Sequence, residues 1–250
     1  MKKIEKITVV TICYNSEKVI CPTLESMLHQ TYDGDVEYII IDGASTDNTC
    51  KIAQSYQDAF ARKGVDYRIY SEPDAGIYDA MNKGIAKATG DIIGLLNSGD
   101  TYERETLQLV VDTFEKGMTD VVFGNIRMVK TDGSSFVKKA RQSSYQTSRD
   151  WNHPTMFVKA MLYKENPFPC KGIHDDYGLY LRFRKQGRRI VTIDEVLASF
   201  YMGGASNKKE LRSACRRICD RYQYCYRDNG YSRWYLVECV MIEMAKWLLG

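Results

Sequence analysis

The feature that most constrains this chain is a set of short apolar runs that lack the alternation of a half-buried strand. They are Ile7 to Cys13 (ITVVTIC), Glu37 to Asp42 (EYIIID) and Asp91 to Leu96 (DIIGLL). Such runs suit strands covered on both faces, the condition met in parallel sheets. Between them lie segments of helical period. Ser16 to Gln30 carries Val19, Leu24, Met27 and Leu28 on one face. Thr46 is placed to cap a helix through Ile52 to Phe60, and Ile77 to Ala88 is a further helix. Tyr67 to Ser71 reads as a short strand, Glu103 to Phe114 as a helix and Asp120 to Gly124 as extended. Strands alternating with helices predict an α/β fold, Rossmann-like, with a mostly parallel central sheet flanked by helices.

The pattern changes near residue 126. Ile126 to Thr147 is polar, with a hairpin turn at Thr131-Asp132-Gly133-Ser134. Trp151 to Val158 follows, then a loop punctuated by Pro167 and Pro169 and a helix from Asp175 to Gln186. Strands at Arg189 to Ile193 and Val196 to Tyr201 come next. Asn207 to Arg227 and Ser232 to Leu249 read as two closing helices. The expected division is an α/β domain over 1–206 and a C-terminal helical extension over 207–250.

The formal net charge of +3 is too small to argue for nucleic acid. Its distribution is uneven: Lys208 to Gly250 holds nine Lys/Arg against five Asp/Glu. A basic tail predicts an acidic surface as partner, and a membrane leaflet is one candidate. The eight cysteines form no CxxC pair and no zinc spacing. They read as reduced thiols of a cytoplasmic protein. The basic Met1 to Lys6 precedes too short an apolar run for a signal peptide, and no stretch approaches the ~18 apolar residues of a membrane span.

In open α/β sheets, ligands bind beyond the carboxyl ends of the strands. Polar residues cluster at those ends: Tyr14-Asn15-Ser16, Asp42-Gly43-Ala44-Ser45-Thr46-Asp47, Glu72-Pro73-Asp74-Ala75-Gly76 and Asn97-Ser98-Gly99-Asp100. Three carboxylates on one rim repel each other unless a cation or a ligand's donors offset them. The alternative for each is a helix cap or a turn. No Gly-x-Gly-x-x-Gly and no Gly-Lys-Ser/Thr loop is present, so a phosphate-binding loop of either kind is excluded. A divalent metal, Mn²⁺ or Mg²⁺, on Asp100 is the simplest source of phosphate neutralisation.

Four segments in order resemble a family 2 glycosyltransferase of the GT-A fold. They are Thr8 to Asn15, Ile41 to Thr49, Glu72 to Gly84 and Leu95 to Asp100, and the likeness extends with gaps from about residue 5 to 206. The resemblance implies an inverting, metal-dependent transferase that takes a hexose or N-acetylhexosamine from a nucleotide-diphosphate sugar, a UDP-sugar foremost. The acceptor would be a saccharide or a lipid-linked saccharide, as in polysaccharide or glycolipid synthesis. Residues 1–125 would form the nucleotide-sugar half and 126–206 the acceptor half. Asp42 would accept a hydrogen bond from the base, with Thr11 and Tyr14 lining the pocket beside Asn15. Asp74 would lie near base and ribose, and Asn82 and Lys83 near sugar or phosphates. Asn97, Ser98, Gly99 and Asp100 stand where the family has its Asp-x-Asp motif, with Asn97 in place of the first acid. Gly99 would let the backbone approach the diphosphate.

Inverting transfer needs a base for the attacking hydroxyl. In the family an acidic pair precedes a Leu and an Arg, and its second member is the base, which places that role on Asp176. Asp175 is the other member on the acceptor side, and helix capping is its alternative role. Trp151 and His153 resemble an acceptor-side stretch of one branch, where an indole packs on a sugar ring. Relatives often carry a metal-binding histidine where this chain has Gly203-Gly204-Ala205-Ser206. A different class of function, a non-catalytic nucleotide-sugar-binding module, uses the same pocket without the chemistry.

In the tail, Leu211, Cys215, Ile218, Tyr222 and Cys225 form an apolar seam flanked by Lys209, Arg212, Arg216, Arg217 and Arg221. Trp234, Val237, Met241, Met244 and Leu248 form another. Each seam faces protein (the body or, in a homodimer, a second subunit) or a membrane that the basic helix touches peripherally.

Overall fold

The computed structural model describes residues 3–202 and 211–249, with side chains up to 202 and from 213 to 245. The Gly203-to-Ser206 loop, Lys208, Lys209 and the side chains of Leu211, Arg212 and Leu248 lie outside the described residues. The chain falls into two compact units. One holds 3–167 with 189–202, and the other holds 168–188 with 211–249.

The first unit is built on β1 (Lys6–Cys13), β2 (Asp35–Asp42), β3 (Asp66–Ser71) and β4 (Ile92–Leu95). They pair in parallel, in the order β3-β2-β1-β4. The buried runs seen in the sequence are these strands: β1 and β2 are buried at nearly every position. Helices α1 (Ile20–Leu28), α2 (Thr49–Ser55), α3 (Gln57–Arg62) and α4 (Ile77–Lys87) connect them. The helix expected after Thr46 is therefore two helices. The residue at the cap of the first is Asn48, and Asp47 just before it accepts the Thr49 N–H through Oδ1 at 2.9 Å. Thr46 instead donates to Asn15. Under α3, the rings of Tyr38, Phe60 and Tyr67 pack with centroids 4.5 to 5.4 Å apart.

Beyond β4 the sheet becomes mixed. β5 (Thr101–Tyr102) and α5 (Thr106–Lys116) lead into β6 (Val121–Val129), which forms the expected hairpin with β7 (Ser135–Lys138). A 3₁₀ turn, His153–Thr155, precedes β8 (Phe157–Lys159), which lies antiparallel between β4 and β6. α6 (Ala160–Glu165) follows. β9 (Ile190–Tyr201) runs parallel to β6, with register shifts near Asn125, and pairs antiparallel with β5. The two strands expected at 189–201 are this one irregular strand.

The second unit consists of α7 (Asp175–Lys185), α8 (Leu211–Asp220), a π-helical turn (Arg221–Arg227) and α9 (Tyr235–Leu249). The buried side of α8 and the π turn is Ala214, Arg217, Arg221, Cys225 and Tyr226. Cys215 and Cys219 are exposed. The inward face is thus turned one position from the expected seam, because two arginines are buried rather than solvated. Arg217 binds Glu243 Oε2 through Nε (2.9 Å) and a terminal nitrogen (2.8 Å), and Arg221 lies 3.7 Å from Glu243 Oε1. Arg221 also meets His174 Nε2 at 3.1 Å, and Cys225 donates to the His174 carbonyl. This ties the start of α7 to the tail. Among the described residues no helix is long and apolar enough to cross a membrane.

A buried ion pair that loses one partner leaves an uncompensated charge, at a cost of about 3–5 kcal/mol. Glu243→Ala is expected to destabilise the protein by that order in urea unfolding. A loss below about 1 kcal/mol would contradict the buried cluster.

Candidate active site

The parallel register carries the ends of β1, β2, β3 and β4 to one rim. Cys13 pairs with Asp42, and Asp42 with Ser71. The loop after β4 joins them through Leu96 N–H to Val10 O and Ser98 N–H to Ile12 O.

Asp42 is fully buried and closely held. Oδ2 accepts from Ser45 N–H (2.9 Å), Ser71 Oγ (2.6 Å) and Cys50 Sγ (3.0 Å), and the Ser45 hydroxyl donates to Oδ1. Burial pushes the carboxyl upward, but the bonds from Ser45, Ser71 and Cys50 outweigh it and hold Asp42 below the usual carboxylate range. Asp42 therefore latches the second loop to β3 and presents no free edge to a base. Thr11 differs from expectation for a related reason. It is fully buried with its hydroxyl 3.0 Å from Tyr38 OH, so it lies in the core beneath the rim and lines no pocket.

Tyr14 and Asp74 do come together at the surface. A Cβ added at Gly43 would stand 2.4 Å from Asp74 Oδ2 and 3.4 Å from Tyr14 Cδ2, so the two side chains flank Gly43 and any larger residue there would push the Asp74 carboxylate aside. Tyr14 is 63% exposed. Asp74 Oδ1 closes its own turn by accepting the Gly76 N–H at 2.9 Å. Asn15 is a connector: its N–H donates to Ser45 Oγ and its Oδ1 accepts the Thr46 N–H. It does so with φ 46°, a left-handed conformation that asparagine tolerates. Lys83 reaches back to Pro73 O (2.6 Å) and Asp79 (3.3 Å), fixing the third loop, and Asn82 is half-buried beside it on α4.

The fourth loop is built differently. Gly99, at φ 99°, turns the backbone so that its N–H meets Thr23 Oγ1, which in turn donates to Asp100 O. Asp100 is 5% exposed. Burial pushes its carboxyl up to about 8, opposed by one backbone N–H from Tyr201. Asn97 Oδ1 and Ser98 Oγ are buried without a hydrogen-bond partner. Buried polar atoms are nearly always satisfied, so two unpartnered oxygens beside a buried carboxyl on one loop point to a ligand. The donor set suits a hard cation, yet the described residues contain no group of three or more His, Cys, Asp or Glu able to hold a metal. The loop fits a metal that takes its remaining oxygens from a diphosphate.

On the acceptor side, Trp151 is buried and its Nε1–H points at Met156 Sδ (3.4 Å). It is a core ring rather than a sugar platform. His153 packs edge-on against it, with centroids 5.7 Å apart. Asn152 and Thr155, which the sequence did not single out, anchor this turn on Gly124 O. In the second unit Asp175 is buried and accepts the N–H groups of Lys171 (2.7 Å) and Gly172 (3.0 Å), closing the loop before α7. Asp176 is half-buried in the first turn, its Oδ1 on the Tyr177 N–H at 2.7 Å.

The sequence does not show that Ser45, Cys50 and Ser71 are the donors that hold Asp42. Ser45 lies in the polar run after β2 and Ser71 ends β3, while Cys50, in the first turn of α2, carries no local signal at all. Because the Asp42 carboxyl is depressed in the folded state, its contribution is complete above the unfolded value of ~3.9 and is lost as pH falls through the folded one. Ser71→Ala is expected to cost about 1–2 kcal/mol at neutral pH, with the penalty shrinking below about pH 4. Urea unfolding at the two pH values measures it, and a penalty independent of pH would refute the latch.

Residues 8–177 match the family model described as Glycosyl transferase family 2. A PGL/p-HBAD biosynthesis glycosyltransferase of Mycobacterium bovis is 35% identical over 120 residues, covering 47% of this chain and 45% of that one. The chain spans only part of its curated relatives, 34% of the length of some. S. aureus TarS in complex with UDP-GlcNAc superposes with a TM-score of 0.62 at 19% identity, over 96% of this chain and 72% of that one. The mannosyltransferase PcManGT from Pyrobaculum calidifontis, in complex with GDP-Man and Mn²⁺, gives 0.64 at 18%, over 89% and 62%. These two likenesses show the fold, a mostly parallel central sheet flanked by helices. With the family model matched along two thirds of its length, the chain belongs to glycosyl transferase family 2.

Proposed function

We propose that this protein is an inverting glycosyltransferase that moves a hexosyl or N-acetylhexosaminyl group from a nucleotide-diphosphate sugar to a hydroxyl. The observation that carries the reading is the Asn97-to-Asp100 loop, with its buried, underused oxygens at the carboxyl end of β4. The donor classes seen in TarS and PcManGT support it, and a UDP-sugar is the donor we favour. The acceptor we favour is a saccharide or a lipid-linked saccharide, in polysaccharide or glycolipid synthesis. We place the enzyme in the cytoplasm, peripheral to the membrane.

The donor-side roles follow from the rim, and that of Asp176 from the family resemblance. Tyr14 and Asp74 offer the exposed aromatic face and carboxylate edge that a base and ribose require, while Asp42 latches the second loop, which lies between them, to the strand that leads into the third loop. Asn82 and Lys83 lie on the helix after that loop. Asp100, with Asn97 beside it, would hold Mn²⁺ or Mg²⁺, which when bound neutralises the charge of the leaving diphosphate. Asp176 takes the proton of the acceptor hydroxyl as its oxygen attacks the anomeric carbon. The carbon–oxygen bond to the diphosphate breaks on the opposite face, which inverts the centre.

General-base catalysis contributes roughly 10²- to 10⁴-fold, so Asp176→Asn is expected to lower transfer by that order with donor affinity within about twofold. Equal loss of transfer and donor binding would assign Asp176 a structural role. Thermal shift with UDP-, GDP- and dTDP-sugars in Mn²⁺ selects the donor. A donor that binds and is neither transferred nor hydrolysed would replace this reading with a binding module.

A further inference from the structure

We propose that the outward face of α9 docks on an anionic lipid bilayer. Trp234 (75% exposed), Val237 (53%), Met241 (58%) and Met244 (52%) follow one another at helical spacing, with Leu236 and Val240 beside them. The inward face is Tyr235, Cys239, Ile242 and Glu243. Both acidic side chains of the described helix are engaged away from the exposed face. Glu243 lies in the arginine cluster, and Glu238 accepts the Tyr226 hydroxyl at 2.8 Å. The helix is therefore apolar on both sides, a pattern found where something covers the second side.

Charge selects the cover. Arg227 and Arg233 are exposed in the turn leading to Trp234, with one exposed acid, Asp228, beside them, and outside the buried cluster of Arg217, Arg221 and Glu243, Lys208 to Gly250 carries seven basic residues against four acidic. A second copy packed about a two-fold axis would bring these like charges together. An anionic leaflet attracts them instead. Apolar insertion with a basic flank supplies the two signals that stable peripheral binding needs, where one alone is marginal. Tryptophan at the edge of the face suits the headgroup region, where one end of the ring is apolar and the other wet. This deepens the reading of a lipid-linked acceptor, because the enzyme would meet that acceptor on the surface it docks to.

Co-sedimentation of the full chain with vesicles, without donor or acceptor, tests it. Vesicles of roughly one-third phosphatidylglycerol in phosphatidylcholine are expected to bind at least about tenfold more tightly than phosphatidylcholine alone. Val237→Glu with Met241→Glu is expected to reduce binding about tenfold or more. Trp234→Ala is expected to weaken it with an unchanged melting temperature, which keeps the test valid if the double variant unfolds. No binding, equal binding by the variants, or a dimer that Val237→Glu dissociates would each overturn the proposal. Transfer to a water-soluble acceptor, run in parallel, reads the enzymatic proposal separately. Its failure with vesicle binding intact sinks only that reading.

Discussion

Everything at the rim depends on the position of β1 between β2 and β4, paired in parallel with both. The chain moves outward from β1 to β2 and β3, then returns to the other side of β1 for β4. Such a reversal is where open α/β sheets take their ligands, and the parallel register brings the polar residues of these loops to one level. The same register lets the loops brace each other. Asn15 holds the second loop, Asp42 holds β3, and Ile12 O holds Ser98.

The three rim carboxylates are therefore not equivalent. Asp42 is saturated by protein donors, and Asp74 closes a turn while keeping its second oxygen beside Gly43. Only Asp100 is buried with little to offset its charge. A folded chain tolerates such a group where a ligand completes it. The electrostatic problem of gathering acids on one edge is solved locally for two of them and left to a ligand for the third.

Much of this was legible in the sequence. The doubly buried strands announce themselves as unbroken apolar runs, and the loop composition marks the rim. What was not legible has physical reasons. Thr101–Tyr102 and Phe157–Lys159 are too short to carry a period, so their pairing rests on tertiary contacts. The family resemblance assigns Thr11 to the pocket, and only the fold shows that its hydroxyl meets the phenol of Tyr38 in the core. Trp151 followed the same logic, and burial against Met156 decided it. The arginines of α8 were read as solvated because arginine usually is. Glu243, more than twenty residues away, makes Arg217 and Arg221 the inward face, and no pattern within α8 reveals that partner.

The central claim is that Asp100 holds a metal only weakly by itself and that a nucleoside diphosphate completes the site. Titrating Mn²⁺ by electron paramagnetic resonance, with and without UDP, on the native chain and on Asp100→Asn tests it most directly. Weak binding of Mn²⁺ alone is expected, with at least about tenfold tightening by UDP and loss of that coupling in Asp100→Asn. Tight Mn²⁺ binding without nucleotide, or coupling that survives in Asp100→Asn, would contradict it.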